Sequence, residues 1–160
     1  MDIGILKETQ KHEQRVSATP TTVKQLIKSE HSVIIEKNAG EGSFISNKDF
    51  ENAGAEILET ATEIYNKADI IFKVSPLGLE ELDLLKKDST IISFFQIKDE
   101  INHIPKYIDN NISILSMSHV PRTTLAQNMD ALSSQSNIAG YKATIIGADH
   151  ITKYMPLLMT

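Results

Sequence analysis

The chain has 160 residues, 41% of them apolar and 23% charged, enough for one ordinary domain that buries roughly 70% of the surface its unfolded form exposes. The 21 acidic residues outnumber the 16 basic ones and give a formal net charge of −5, which speaks against nucleic acid, whose protein partners present a basic face. The absence of cysteine excludes a disulfide framework and a thiolate metal site, and it fits a reducing compartment.

The first residues, Met1-Asp-Ile-Gly-Ile-Leu-Lys-Glu8, lack the basic region and long apolar core of a signal peptide. The longest apolar runs, 90–95 and 155–159, fall short of the ~18 residues a membrane span needs. A soluble polypeptide is therefore expected.

In chain order, residues 3–6 read as a strand, followed by a loop over 7–17 that carries Arg15. Thr19-Pro20 then gives an N-cap with proline at the first helical position, and Val23, Leu26 and Ile27 share one face of the helix it starts. A second strand is expected over 32–36. Gly40-Glu-Gly-Ser43 is too short for a phosphate-cradling loop and reads as a plain turn. Ser46 opens a short helix that stops near Gly54, and Thr60 with Glu63 has capping-box spacing.

Residues 69–74 and 90–95 are nearly continuous apolar runs, as in strands covered on both faces. Helices over 79–87 and 99–109 and a strand over 112–116 complete the alternation. The pattern predicts an α/β fold: a doubly wound, mainly parallel, Rossmann-like sheet with right-handed crossovers. From about 125 to 151 the pattern changes to one long connecting helix. On it Met129, Leu132, Ser136, Ala139, Ala143 and Ile146 form one stripe. Gly140 and Gly147 lie in this helix, each costing about 1 kcal/mol relative to alanine, which suggests close packing or a bend.

Two sets of residues carry chemistry. In the first, Arg122, Gln127 and Asp130 stand at the mouth of the long helix, with hydroxyls on Ser133 and Ser134 just inside it. The guanidinium fork suits a carboxamide or phosphate, and Gln127 and Asp130, three residues apart, share a helical face. The plainer readings are a solvated arginine, an exposed glutamine and an aspartate N-cap. In the second set, Lys73 interrupts an apolar strand near its carboxyl end, where open α/β sheets take their ligands. A lysine there is costly unless paired or ligand-facing. With Arg15 it makes a candidate substrate pocket, and structural salt bridges are the alternative. The five histidines show no metal-ligand spacing, and no metal site is expected; His119 is the one nearest Arg122.

The words Gly4-Ile-Leu-Lys-Glu8, Glu13-Gln-Arg-Val-Ser-Ala-Thr-Pro20, Ala39-Gly-Glu-Gly-Ser43 and Ala53-Gly-Ala-Glu56 resemble the start shared by alanine dehydrogenases and transhydrogenase alpha subunits. The loop Pro121-Arg-Thr-Thr-Leu-Ala-Gln-Asn-Met-Asp-Ala-Leu-Ser-Ser-Gln-Ser-Asn-Ile-Ala-Gly-Tyr141 resembles the proton-translocating NAD(P) transhydrogenases specifically. That resemblance implies a membrane-type transhydrogenase that moves hydride between NADH and NADP⁺. Arg122, Gln127, Asp130 and Ser133 would be cofactor-binding. Arg122 and Ser133 would orient the carboxamide of NAD(H), and Asp130 would fix that arrangement. Gln127 would face the NADP(H) of a partner domain, which makes Gln127 and Asp130 the residues closest to the chemistry.

In the alanine dehydrogenase branch, Arg15 and Lys73 would hold a substrate carboxylate and a histidine would follow the fourth strand. Here that place reads Phe94-Phe-Gln96, and glutamine exchanges no proton near neutral pH. The resemblance further implies residues 1–124 as an N-terminal α/β domain and 125–160 as a connection to an NAD-binding Rossmann domain absent from this chain. Other expected partners are the NADP-binding and membrane parts, and a second copy of the full subunit. The expected location is cytoplasmic and peripheral to the inner membrane. Alone, the chain would bind NAD(H) weakly and be inactive. The alternatives are an alanine dehydrogenase-type oxidoreductase and a non-catalytic truncated module.

Overall fold

The computed structural model describes residues 1–154; the apolar run predicted over 155–159 lies outside them. The chain divides into a compact unit from Met1 to His119 and a second unit from Val120 onward.

The first unit is built on six parallel strands in the order β3-β2-β1-β4-β5-β6. Strand β1 (Asp2–Ile5) is central, and Ile5 lies opposite Ile35 of β2 (Ser32–Glu36) and Phe72 of β4 (Ile70–Phe72). From β1 the chain winds outward through β2 to β3 (Glu56–Leu58). It then returns beside β1 and winds the other way through β4, β5 (Thr90–Ser93) and β6 (Ser113–Ser116). The reversal puts a topological switch point between β1 and β4, the place where such sheets receive ligands.

Side-chain alternation along the strands feeds two cores. On one face Ile5, Val33 and Ile35 pack with Val23 of α1 (Pro20–Lys28) and Phe50 of α2 (Asn47–Asn52). On the other face Leu6, Ile34, Ile71 and Ile91 pack with Ile64 and Tyr65 of α3 (Ala61–Lys67). Leu82 of α4 (Leu79–Leu82) and Tyr107 of α5 (Ile104–Asp109) complete that core. Phe50 and Ile64 are fully buried, and each such side chain contributes about 1.5–3 kcal/mol. Gly4 lets α3 close onto β1, because a Cβ there would stand 2.5 Å from Ile64 Cγ2.

The helix starts follow from local chemistry. Thr19 caps α1 by accepting from Thr22 N, while Ser46 and Thr60 form capping boxes with Asp49 and Glu63. Three expectations are corrected. The strand β3, only three residues long, was not anticipated. The helix expected over 99–109 is a 3-10 turn (Ile101–His103) followed by α5, because Pro105 has no N–H to bond the carbonyl four residues back.

The third correction concerns the long helix. It does not start near 125: a 3-10 stretch over Thr124–Met129 precedes it, Asp130 leaves helical geometry with ψ 74°, and α6 runs Ala131–His150. A Cβ on Gly140 or Gly147 would meet nothing within 4 Å, so neither glycine serves close packing among the described residues. Gly140→Ala is therefore expected to stabilise α6 by about 0.5–1 kcal/mol, because only the entropic penalty of glycine is removed. Thermal melting followed by circular dichroism checks this, and a destabilised variant would reveal a neighbour at that position.

Candidate functional site

At the carboxyl ends of β1, β2 and β4 the first unit gathers charged groups. Lys73 follows the last residue of β4, and its backbone N–H still donates to Ile92 O at 3.1 Å. Its side chain is 1% exposed. The ammonium reaches Glu81 Oε1 at 2.6 Å and Oε2 at 2.8 Å. Glu81 also accepts from Tyr65 Oη at 2.9 Å and from the Gly78 N–H at 2.8 Å. Burial acts to raise the Glu81 pKa, but the bonds from Lys73 and Gly78, with the lysine charge, hold it below the ordinary value. Burial, reinforced by the Glu81 charge, drives the Tyr65 phenol far upward and keeps it a neutral donor.

Two further carboxylates face the lysine. Glu8 accepts from the N–H groups of Val74 and Ser75 at 2.6 and 3.2 Å, and Glu36 accepts from Lys7 N at 2.8 Å. Burial raises both carboxyl pKa values, against those hydrogen bonds and the charge of Lys73. Arg15 is gripped by Glu13, with Nε to Oε1 at 2.8 Å and NH2 to Oε2 at 2.6 Å, and its guanidinium lies 5.8 Å from the Phe94 ring centre. That grip lowers the Glu13 pKa and raises that of Arg15. Each cation of the expected substrate pocket thus holds a carboxylate of the chain itself, as the salt-bridge alternative has it. Sequence reading missed the acceptors Glu81 and Glu13. Glu13 stands two residues from its partner and was visible as a charge pair, whereas Glu81 reaches Lys73 only through the fold of the loop between them.

Gln96 stands just past β5, exposed, where the alanine dehydrogenase pattern would place its histidine. His119 Nδ1 lies 2.8 Å from Ser116 Oγ, which donates to Phe95 O. The segment around Gly40 forms a 3-10 turn over Glu41–Ser43, as expected of a plain turn. No cluster of His, Asp and Glu able to hold a metal exists among the described residues.

In the second unit Asp130 caps α6. Its Oδ1 accepts from Ser133 N at 2.9 Å and its Oδ2 from Ser133 Oγ at 2.5 Å. These bonds, helped by the charge of Arg122, hold the Asp130 pKa below the ordinary value. Arg122 is exposed in the segment before the 3-10 turn, at the centre of a tight turn in which Thr123 N donates to Pro121 O at 2.9 Å. Gln127 lies within that turn with its side chain exposed, and its carbonyl accepts from Asp130 N at 3.3 Å. The fold therefore links Asp130 and Ser133 directly, Arg122 to them through its charge, and Gln127 through the backbone.

Because the folded-state pKa of Asp130 is depressed, its capping contribution is complete above the ordinary carboxylate range and is lost as pH falls through the lowered value. The helical signal of α6 is expected to weaken on acidification below that range. In Asp130→Asn this part of the acid transition disappears, and circular dichroism against pH reads the difference.

A doubly wound parallel α/β domain with a charged switch point and a capped polar loop is the class that the fold and these residues define. The model for the alanine dehydrogenase/PNT N-terminal domain matches residues 4–139, and the chain belongs to that family. It is 36% identical over 164 residues to NAD(P) transhydrogenase subunit alpha, first part, of Rickettsia prowazekii, covering all of this chain and 43% of that protein. With NAD(P) transhydrogenase subunit alpha of Haemophilus influenzae it is 40% identical over 148 residues, 92% of this chain and 28% of that one. The crystal structure of transhydrogenase from Sinorhizobium meliloti superposes with a TM-score of 0.91 at 32% identity, covering the whole chain and 48% of its counterpart. The chain thus spans less than half the length of these relatives.

Proposed function

We propose that this chain is the N-terminal part of NAD(P) transhydrogenase subunit alpha and contributes one wall of an NAD(H) site. Residues 1–124 form its N-terminal domain, and 125–160 connect it to a nucleotide-binding Rossmann domain. NADP(H) sits on a partner domain, and proton translocation belongs to membrane parts of the assembly. The full subunit is a homodimer at the cytoplasmic face of the inner membrane. No described helix is long and apolar enough to cross a membrane.

The observation that carries this reading is the loop at the start of α6. Ser133 fixes Asp130 as an anion beside the positive field of Arg122, and Arg122 itself remains exposed. A planar guanidinium presents paired donors to the carboxamide oxygen of nicotinamide or to a phosphate. Ser133 Oγ, already bonded to Asp130, has lone pairs left for the carboxamide N–H. Gln127 faces the second dinucleotide. The two cofactors supply the hydride chemistry, and these side chains set approach and orientation. Gln96 adds a chemical argument against amino-acid oxidation, since that reaction needs a proton acceptor near this edge.

The test uses a chimera in which this chain replaces the matching region of the Haemophilus influenzae subunit. With its partner domains the chimera is expected to reduce an NADP⁺ analogue with NADH and to form no NADH from alanine. Alanine-dependent NADH formation would instead select the dehydrogenase reading. A folded chimera with neither activity would leave a non-catalytic module.

A further inference from the structure

The six-stranded sheet ends at β6, and one of its two cores is left open there. Phe95 and Tyr107 are buried, and their rings meet edge to face with centroids 5.7 Å apart. Beyond them Ile112 and Ile114 are only half-buried, and Ile97 and Ile108 are exposed. These residues line a groove of about 390 Å³, a size that holds small organic ligands. Ser116, the last residue of β6, and His119, at the end of the 3-10 turn Met117–His119, add polar groups to the lining.

The hydrogen bonds between those two residues fix the chemistry of the histidine. Phe95 O is a carbonyl oxygen and brings no proton, so the hydroxyl proton of Ser116 is given to it. A serine hydroxyl has only one proton to give. In the 2.8 Å contact between Ser116 Oγ and His119 Nδ1 the donor is therefore Nδ1–H. The second nitrogen, Nε2, is then the acceptor of the neutral ring. No described residue donates to it.

We propose that this groove is a binding site for a small phenol, whose hydroxyl donates to His119 Nε2 while its ring lies against Phe95, Tyr107 and Ile112. Aromatic rings gain from offset or edge-to-face contact with other rings, which favours a planar ligand over an aliphatic one. The open acceptor selects a ring that carries an O–H over the corresponding methyl ether. An ionised carboxylate is acceptor-only and finds no donor on the neutral imidazole, so this site differs in kind from the charged one at the switch point. It is built wholly from residues 95–119 and goes beyond the NAD(H) reading, on which it does not depend.

The probe is p-cresol, titrated into the full 160-residue chain and followed by the methyl NMR signals of the isoleucines. Saturable shifts are expected at Ile112 and Ile114, with Ile35 in the opposite core unmoved. The methyl ether of p-cresol, which has no proton to donate, binds about five- to tenfold more weakly. In His119→Phe the lining stays apolar and the two ligands bind alike. His119 is exposed, so the variant keeps the circular dichroism of the parent. N-acetyltyrosinamide, which stands in for a tyrosine of a protein partner, binds more weakly than p-cresol. Tighter binding of the tyrosine analogue would overturn the assignment to a small molecule. Equal affinity of the unchanged chain for p-cresol and its ether would overturn the inference, as would the absence of saturable shifts at Ile112 and Ile114. No dinucleotide enters the assay, so failure of NADH binding at the Arg122 loop leaves this result intact, and the converse also holds.

Discussion

Replacing Glu81 with leucine is expected to destabilise the chain by about 3–5 kcal/mol, and replacing Lys73 with methionine by only about 2 kcal/mol. The asymmetry follows from what each substitution leaves behind. Without Glu81, an ammonium whose side chain is 1% exposed loses its direct partner, and the buried Tyr65 hydroxyl loses its acceptor. Without Lys73, the Glu81 side chain is still 22% exposed and keeps the bonds from Tyr65 and Gly78. The double substitution should lose much less than the sum, because two apolar side chains can pack where two ions sat. Urea unfolding of the four proteins gives the cycle directly. Equal and additive single losses would mean that the pair is not a unit.

Replacing Arg122 with alanine in the Haemophilus influenzae chimera is expected to slow hydride transfer about 10–100-fold, the effect of losing one charge-assisted contact that positions the nicotinamide. The substitution should leave the fold alone, since Arg122 is exposed and stands outside α6. Its charge does lower the Asp130 pKa, though it ranks behind the Ser133 bonds in doing so. The cap of α6 therefore survives in Arg122→Ala, and a lost rate reports the site rather than the helix. An unchanged rate of NADP⁺-analogue reduction would remove Arg122 from the site.

The features legible in the sequence were those governed by local chemistry. Thr19-Pro20, Ser46 and Thr60 announced α1, α2 and α3 because an N-cap is a contact within three or four residues. The runs around Ile71 and Ile91 announced buried parallel strands because both faces of the sheet are covered. Periodicity failed where a single backbone angle decided the outcome. The apolar stripe runs straight through Asp130, and nothing in its spacing registers a ψ of 74°. Strand β3 escaped because three residues are too few to show alternation.

The candidate site divides in the same way. Lys73 was conspicuous as a cation in an apolar strand, but its partner was not, because Glu81 meets it only after the chain has left β4 and turned into α4. The Asp130–Ser133 pair was readable as an N-cap spacing, and the structure adds that both carboxylate oxygens are engaged by the same residue. Gly40-Glu-Gly-Ser43 was equally plain as too short for a phosphate-cradling loop, and no Gly-x-Gly-x-x-Gly turn stands elsewhere in the 160 residues.

The central claim is that the Arg122 loop faces NAD(H), and titrating NADH into the chimera by nicotinamide fluorescence tests it most directly. The expected result is saturable binding that weakens about tenfold or more in Arg122→Ala and again in Asp130→Asn, both variants keeping the circular dichroism of the parent. Binding of equal affinity in all three folded proteins would contradict the claim and assign the nicotinamide wall to other residues.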